Sequence, residues 1–141
     1  MADTLTIGTL SAVAASPTST TITLSAAPAG GSGSGYSVTL YRDVTEGFTP
    51  SDSNKVAIDL GTSHTDTGLT ANTKYYYVAV ATDSSSDTAA SNEASVTTEA
   101  YPAMTIGAVS VAVASATSTT VSLAAGPAGG SGTGLTTTLW R

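Results

Sequence analysis

The sequence predicts an all-β fold, and three observations support this prediction. Forty per cent of the 141 residues are apolar, enough for a core, and Thr, Val, Ile and Tyr are residues that favour pleated sheets. Apolar and polar residues alternate in several short segments, and no segment has the period of a helix. The chain also repeats itself after 99 residues, close to the size of one two-sheet sandwich domain.

Seven strands separated by turn residues are predicted in the first repeat. The first alternates weakly, as is typical of an edge strand, and Pro17 ends it. The sixth is the longest and most apolar. The predicted strands are 9–16, 20–27, 36–42, 55–61, 62–68, 74–83 and 93–99. Their alternation predicts one inward face, composed of Ile22, Leu24, Ala26, Tyr36, Val38, Leu40, Val56, Ile58, Leu60, Tyr75, Tyr77, Ala79 and Ala81.

The internal repeat sets the domain boundaries. Residues 5–42 align without a gap on residues 104–141, and 22 of the 38 pairs are identical. We therefore predict a domain over 1–99, a hinge over 100–103 and the N-terminal part of a second, incomplete domain over 104–141. The second segment has too few inward side chains to fold alone. Either the natural chain continues past Arg141 or another chain completes this half; the first is favoured, since repeat arrays consist of whole units.

A Gly-rich segment inside the repeat resembles an engineered linker. The segment "PAGGSGSGY", residues 28–36, recurs as "PAGGSGTGL", residues 127–135. An inserted linker would not recur at the same offset in a homologous unit, so the segment is a native loop. With no following helix and no Lys, it does not match a phosphate-binding loop. We expect a flexible loop between the second and third strands.

Charge and composition exclude several functions. The net charge is −6 with only four Lys and Arg, whereas nucleic-acid binding needs clustered cations. No apolar run approaches the ~20 residues that span a bilayer, so we expect no membrane insertion. Cysteine is absent, which excludes disulfides and thiolate chemistry. Asp3 and the lack of a sustained apolar segment near the N-terminus argue against an export signal.

The segment "HTDTGLTANTKYYYVAVATDSSSDTAASNEASVTT", residues 64–98, resembles the C-terminal half of a bacterial or phage fibronectin type III module. Those modules carry Leu-x-Pro-x-Thr-x-Tyr, which here becomes Leu69, Ala71, Thr73 and Tyr75, with alanine in place of the proline. The resemblance implies an Ig-like sandwich of seven antiparallel strands, followed by a partial second sandwich. It also places Tyr75 at a tyrosine corner, where the hydroxyl bonds to upstream backbone. Leu69, Thr73, Tyr75 and Tyr77 are the expected fold-defining residues.

Two segments could carry chemistry, and each also has an ordinary structural interpretation. Ser63, His64 and Asp66 could suggest a hydrolase triad, but neighbouring strand residues point to opposite faces, so we expect no catalysis. The segment "DSSSDT", residues 83–88, spaces two carboxylates like a calcium loop. It lacks the glycine and the terminal glutamate of such a loop, so we interpret it as a polar turn. No metal and no cofactor are expected.

A candidate contact surface lies on the face opposite the predicted core. Tyr76, Val78 and Val80 point outward by strand parity, and so do Tyr41 and Trp140. A row of outward apolar residues predicts a covered surface. Either a neighbouring protomer or the next module covers the row, or the side chains of adjacent strands do; the residues leave both alternatives open.

These observations favour a non-enzymatic structural or binding module. The first hypothesis is a surface component of a tailed-phage virion, such as a capsid decoration, tail or fibre protein. It would act by contact with other virion proteins in a homo-oligomer or lattice, with weak adhesion to host-surface glycans as a further expectation. The alternative is a spacer or adhesion module of a secreted or cell-surface bacterial protein or carbohydrate-active enzyme.

Overall fold

A computed structural model describes residues 3–140, which divide into two compact units between Ala100 and Tyr101. Residues 3–100 of the first unit contain ten strands and one short 3₁₀ helix. The strands are β1 (Asp3–Thr6), β2 (Leu10–Ser16), β3 (Ser19–Leu24), β4 (Ala29–Gly31), β5 (Tyr36–Asp43), β6 (Lys55–Ala57), β7 (Ser63–Thr67), β8 (Lys74–Asp83), β9 (Thr88–Ala90) and β10 (Ala94–Thr97), and the 3₁₀ helix is Asp52–Asn54.

The strands of the first unit pair antiparallel and pack as a sandwich. One sheet has the order β2-β3-β7, and the other has the order β10-β8-β5-β6, with β9 also paired to β8. The short strands β1 and β4 pair with each other. Both larger sheets contribute to one core, because alternate residues of their strands point inward. The predicted all-β sandwich is confirmed, and its buried core is Leu5, Leu10, Ile22, Leu24, Val38, Leu40, Leu60, Leu69, Tyr75, Tyr77, Ala79, Ala81 and Ala94.

The predicted strand number is too low. The seven predicted strands correspond to β2, β3, β5, β6, β7, β8 and β10, whereas β1, β4 and β9 were missed. These three strands have only three or four residues each. In β4, Gly30 and Gly31 adopt φ of 80° and 85°, and glycine is depleted in strands. Neither length nor composition therefore predicts a strand there.

The predicted fourth strand, 55–61, is wrong in its second half. Asp59 and Gly61 adopt φ of 57° and 63°, so the backbone leaves the extended region after β6. Ile58 is consequently 63% exposed instead of inward. Ala26 is also exposed because β3 ends at Leu24. Tyr36 opens β5 at the end of the sandwich and is 43% exposed.

A side-chain amide joins the edges of the two large sheets. Asn92 Oδ1 accepts from the backbone amide of Leu10 at 2.9 Å, and Asn92 Nδ2 donates to the Leu10 carbonyl at 3.0 Å. This pair of bonds imitates a strand–strand contact between β2 and the segment before β10. It satisfies backbone groups that an open sheet edge would leave unpaired.

The second unit contains one antiparallel hairpin, β11 (Val109–Ser115) and β12 (Ser118–Leu123). Val109 pairs with Leu123, as Leu10 pairs with Leu24 in the first unit. Most of its side chains are exposed, including Val111 at 66%. Within residues 3–140, no helix is long and apolar enough to cross a membrane.

Candidate functional site

The tyrosine corner lies at one end of β8. The Tyr75 hydroxyl accepts a hydrogen bond from the Thr70 amide at 3.0 Å, five residues upstream. Leu69 is buried, and its amide donates to the carbonyl of Thr18. The Thr73 amide donates to a threonine hydroxyl of the segment after β10 at 3.0 Å. These contacts of Leu69, Thr73 and Tyr75 hold the segment that leads into β8.

A buried polar network crosses the core between the two sheets. The Tyr77 hydroxyl donates to Asp66 Oδ2 at 2.8 Å and contacts the Thr20 hydroxyl at 2.8 Å. Asp66 Oδ2 also accepts from Arg42 Nη1 at 2.6 Å. Thr20 and Tyr77 are fully buried and Asp66 is 4% exposed. Because buried polar groups are costly without partners, these contacts fix the relative positions of β3, β5, β7 and β8.

The network changes the pKa values of Tyr77 and Arg42. Burial raises the pKa of Tyr77, and the hydrogen bond to Asp66 raises it further. Burial of the Arg42 guanidinium would lower its pKa, but the hydrogen bond and the charge of Asp66 outweigh this and raise it. Tyr77 therefore stays a neutral donor and Arg42 a cation across the physiological pH range. The alternation of residues 74–83 predicts Tyr77 in the core, but no sequence pattern indicates its polar partners.

The candidate triad residues do not form a catalytic arrangement. Asp66 is bound to Arg42 and Tyr77, and these two contacts hold its carboxylate inside the core. His64 pairs with Ile22 across the β3–β7 ladder and is half-buried. Ser63 is exposed on the strand face opposite His64. The three side chains hold positions expected of ordinary strand residues.

The Gly-rich loop, which we expected to be flexible, makes hydrogen bonds to a neighbouring turn. The Gly33 amide donates to Asp83 Oδ2 at 2.7 Å, and the Ser32 amide donates to Asp87 Oδ2 at 3.0 Å. The Ser32 hydroxyl contacts the same Asp87 oxygen. A Cβ at Gly33 would collide with the Ser85 amide, so glycine permits this close approach. The loop is therefore bound to the turn that follows β8.

Asp83 is the centre of that attachment. Its Oδ1 accepts from the amides of Ser85 and Asp87, both at 2.9 Å. Burial raises the pKa of Asp83, but the hydrogen bonds from the amides of Gly33, Asp87 and Ser85 outweigh it and lower the pKa overall. The two carboxylates of the "DSSSDT" turn thus bind backbone amides. Within the part of the chain that the structure describes, no group of three or more potential ligands could hold a metal ion.

The predicted contact residues differ widely in exposure. Tyr76 and Val78 are only 9% and 8% exposed, and Val80 and Tyr41 are half-buried. The Lys74 ammonium lies over the Tyr76 ring, 4.9 Å from the ring centre. Tyr41 lies directly opposite Val78 in the β5–β8 ladder. For Tyr76 and Val78, cover by neighbouring side chains of the same unit accounts for the burial. Trp140, in the second unit, is 88% exposed.

A groove lies at the N-terminal end of β5, and the sequence pattern did not predict it. It encloses about 340 Å³, and its lining contains one aromatic side chain and one carboxylate. The lining residues are Ala27, Pro28, Tyr36, Val38, Asp59, Gly61 and Thr62. The Tyr36 hydroxyl donates to the Gly30 carbonyl at 3.0 Å, which holds the ring in place. Asp59 Oδ1 accepts from the Ser37 hydroxyl at 2.8 Å.

This geometry is that of a β-sandwich module whose core polar groups bind one another and whose loops form the exposed groove. Solved structures agree. The chain is similar to an Fn3-like protein from Clostridium thermocellum, with 32% identity, 67% of this chain and 92% of that chain covered, and a TM-score of 0.50. The chain belongs to the fibronectin type III-like family.

Two further solved structures show the fold alone. The sixth fibronectin type III domain of human fibronectin type III domain containing protein 3 is 16% identical, with 71% of this chain and 88% of that chain covered and a TM-score of 0.51. A β-1,2-glucanase from Parabacteroides distasonis is 22% identical, with 70% of this chain but only 13% of the enzyme covered and a TM-score of 0.53. No protein-family model and no curated protein sequence matches the chain.

Proposed function

We propose that this chain is a non-enzymatic module that works by protein contact, as a surface component of a tailed-phage virion. One observation supports the non-enzymatic role: the ionisable side chains best suited to catalysis are bound to other groups of the fold. Arg42 and Tyr77 both bind the buried Asp66 carboxylate, and Asp83 binds backbone amides. The surface that is left is rich in Ser, Thr and Gly, which suits a module that contacts neighbours.

We also propose that residues 104–141 are the N-terminal part of a second module of the same type. The β11–β12 hairpin has the register of the β2–β3 hairpin shifted by 99 residues, including the irregularity before its last pair. Thr105 and Ala128 pair as Thr6 and Ala29 do. Equal local geometry in two segments with 22 identical pairs of 38 supports a duplicated module.

A second candidate is a spacer or adhesion module of a secreted or cell-surface bacterial protein or carbohydrate-active enzyme. The specific observation in its favour is the similarity to an Fn3-like protein from a bacterium, at 32% identity. The similarity to part of a β-1,2-glucanase adds only that this fold occurs within such an enzyme.

Mass spectrometry of the source material separates the two candidates. Purified particles and cell-free culture supernatant are digested, and peptides from both units are quantified against a capsid or tail protein. The virion proposal expects these peptides in the particles at a fixed ratio to that protein. Peptides found only in the supernatant, within a longer enzyme or adhesin, would contradict the virion proposal and support the second candidate.

A further inference from the structure

The groove beside Tyr36 combines an aromatic ring with a carboxylate. Tyr36 forms one wall with an exposed ring, and Asp59 presents a carboxylate of which one oxygen accepts from Ser37. Val38 and Pro28 add apolar surface. None of the lining residues is Lys or Arg. A concave, mostly apolar site with a few oriented polar groups is the usual form of a binding site.

The same module shows once what such a combination holds, and it shows a second tyrosine ring that faces a cation. The Arg42 guanidinium lies 5.4 Å from the centre of the Tyr75 ring and pairs with the Asp66 carboxylate at 2.6 Å. The Lys74 ammonium lies 4.9 Å from the centre of the Tyr76 ring, whose hydroxyl contacts Glu46. At Arg42 a tyrosine ring and a carboxylate stabilise one cation from two sides, whereas at Lys74 the tyrosine ring alone faces the cation.

The charge distribution of the first unit favours a cation at the Tyr36–Asp59 groove. Asp3 pairs with Gly31 and Asp83 pairs with Tyr36, so both lie with Asp59 and Asp87 at the end of the sandwich where the groove opens. Two cations lie far from the groove: Arg42 is six residues along β5 from Tyr36, or about 20 Å, and Lys74 is at the far end of β8, about 30 Å from Asp83. The third, Lys55, lies four residues before Asp59 but is paired with Asp52. Potentials of one sign steer ligands of the other sign.

We propose that the Tyr36–Asp59 groove binds a guanidinium or ammonium side chain presented by a basic partner protein. The apolar stem of the arginine or lysine packs on the Tyr36 ring and Val38, and its charged end pairs with Asp59. The inference rests on the proposed function in one respect, that the partner is a protein. The groove itself is tested on the isolated chain, so its failure is distinguishable from a failure of the virion proposal.

The test is an NMR titration of the ¹⁵N-labelled full chain with the peptide acetyl-Gly-Arg-Gly-amide at low salt. The matched ligand is the same peptide with citrulline, which keeps the shape of arginine without its charge. We expect the largest amide shifts at the groove residues Tyr36, Val38, Asp59 and Gly61. We expect binding by the arginine peptide to be at least about fivefold tighter than binding by the citrulline peptide, as for an exposed charge-assisted contact.

Two variants test the assigned groups, and one is the control. Asp59→Asn is expected to weaken binding about tenfold, and asparagine tolerates the positive φ at this position as aspartate does. Tyr36→Leu, which introduces the residue found at the equivalent position 135, is expected to weaken it about threefold. Asp52→Asn changes the net charge equally but lies away from the groove, and it is expected to change binding less than about twofold.

Three outcomes would overturn the inference. The first is equal binding of the arginine and citrulline peptides. The second is equal weakening by Asp59→Asn and Asp52→Asn, which would mean attraction by net charge alone. The third is binding of a neutral sugar, with maltotriose as the probe, in the groove without binding of the arginine peptide. The amide spectrum of each variant shows whether it is folded, and Asp59→Asn alone decides the question if Tyr36→Leu does not fold.

Discussion

Residues 6–29 and 105–128 have the same strand pairing, whereas residues 36–42 form a strand and residues 135–140 do not; the two segments also differ in burial. Leu10 is 2% exposed, whereas its counterpart Val109 is 57% exposed; Leu40 is fully buried, whereas Leu139 is 65% exposed. The hairpin register is the same in both segments. Strand pairing and turn geometry are therefore local properties of this sequence. Burial instead depends on residues 43–99. Among the described residues, the second segment has no counterpart of that region.

The turns between the paired strands illustrate how local that information is. The Ser16 and Ser19 hydroxyls contact each other at 2.7 Å, and Ser115 and Ser118 do so at 2.6 Å. Gly30 and Gly129 adopt φ of 80° and 84°. Residues close in sequence supply every partner in these contacts, so both copies form them. A hairpin without a covering sheet is nevertheless marginal in water.

The largest expected effect is a difference in stability between Ile22→Ala and Val121→Ala. Ile22 is fully buried, so its truncation is expected to lower the free energy of unfolding by about 2–5 kcal/mol. Val121 holds the equivalent position but is 40% exposed, so its truncation is expected to cost less than about 0.5 kcal/mol. Urea unfolding of the 141-residue chain, followed by the fluorescence of its tyrosines, measures both.

The comparison fails if the two variants lose similar stability. That result would mean that the face of β12 is covered in solution as the face of β3 is covered in the first unit. The matched replacement at an exposed position of β2, Val13→Ala, is the control for any general effect of valine loss, since Val13 is 65% exposed.

A smaller difference is expected between Thr20→Val and Thr119→Val. Asp66 accepts from the Tyr77 hydroxyl, so Thr20 donates to Tyr77, and valine removes this bond while keeping the shape. We expect a loss of about 1 kcal/mol at position 20 and none measurable at position 119, where the side chain is exposed. Thermal unfolding of both variants checks this. Equal losses would show that β propensity rather than the buried network determines the effect.

The sequence predicted those parts of the fold that depend on alternation and on local motifs. Alternation with polar or outer residues predicted that Val38, Leu40, Ala79 and Ala81 face the core. The spacing from Leu69 to Tyr75 matches a known motif, which predicted the segment before β8. The network of Asp66 could not be predicted, because its partners lie 11 and 24 residues away on other strands. Only the packing of the two sheets brings them together.

The same reason applies to the Gly-rich loop. A run of glycines indicates conformational freedom, but Asp83 lies 50 residues after Gly33 and anchors it. The burial of Tyr76 depends on the position that Lys74 takes over its ring. The groove at Tyr36 depends on the positive φ of Asp59. The alternation of residues 55–61 predicted that the strand continues through this position. At the Gly-rich loop a contact between distant segments overrides the local signal. At Tyr76 a side chain two residues away does so, and at Asp59 the local backbone conformation does so.

The smallest expected effect is on hydrogen exchange in the two Gly-rich loops. The Gly33 amide is bound by Asp83, and its counterpart at Gly132 has no equivalent aspartate within residues 101–140, because this part of the sequence contains no carboxylate. We expect several-fold slower exchange at Gly33 than at Gly132 near neutral pH, measured by NMR and corrected for intrinsic rates.

The protection at Gly33 should depend on pH in one direction. The pKa of Asp83 is lower in the folded state than in the unfolded chain, so its ionised form stabilises the loop. This stabilisation is fully present above the ordinary aspartate pKa of about 4 and is lost as the pH falls through the lower folded value. In Asp83→Asn we expect Gly33 to exchange faster near neutral pH and to lose this acid dependence, whereas Gly132 is unchanged. Acid-dependent protection that survives in Asp83→Asn would assign the loop's attachment to Asp87 instead.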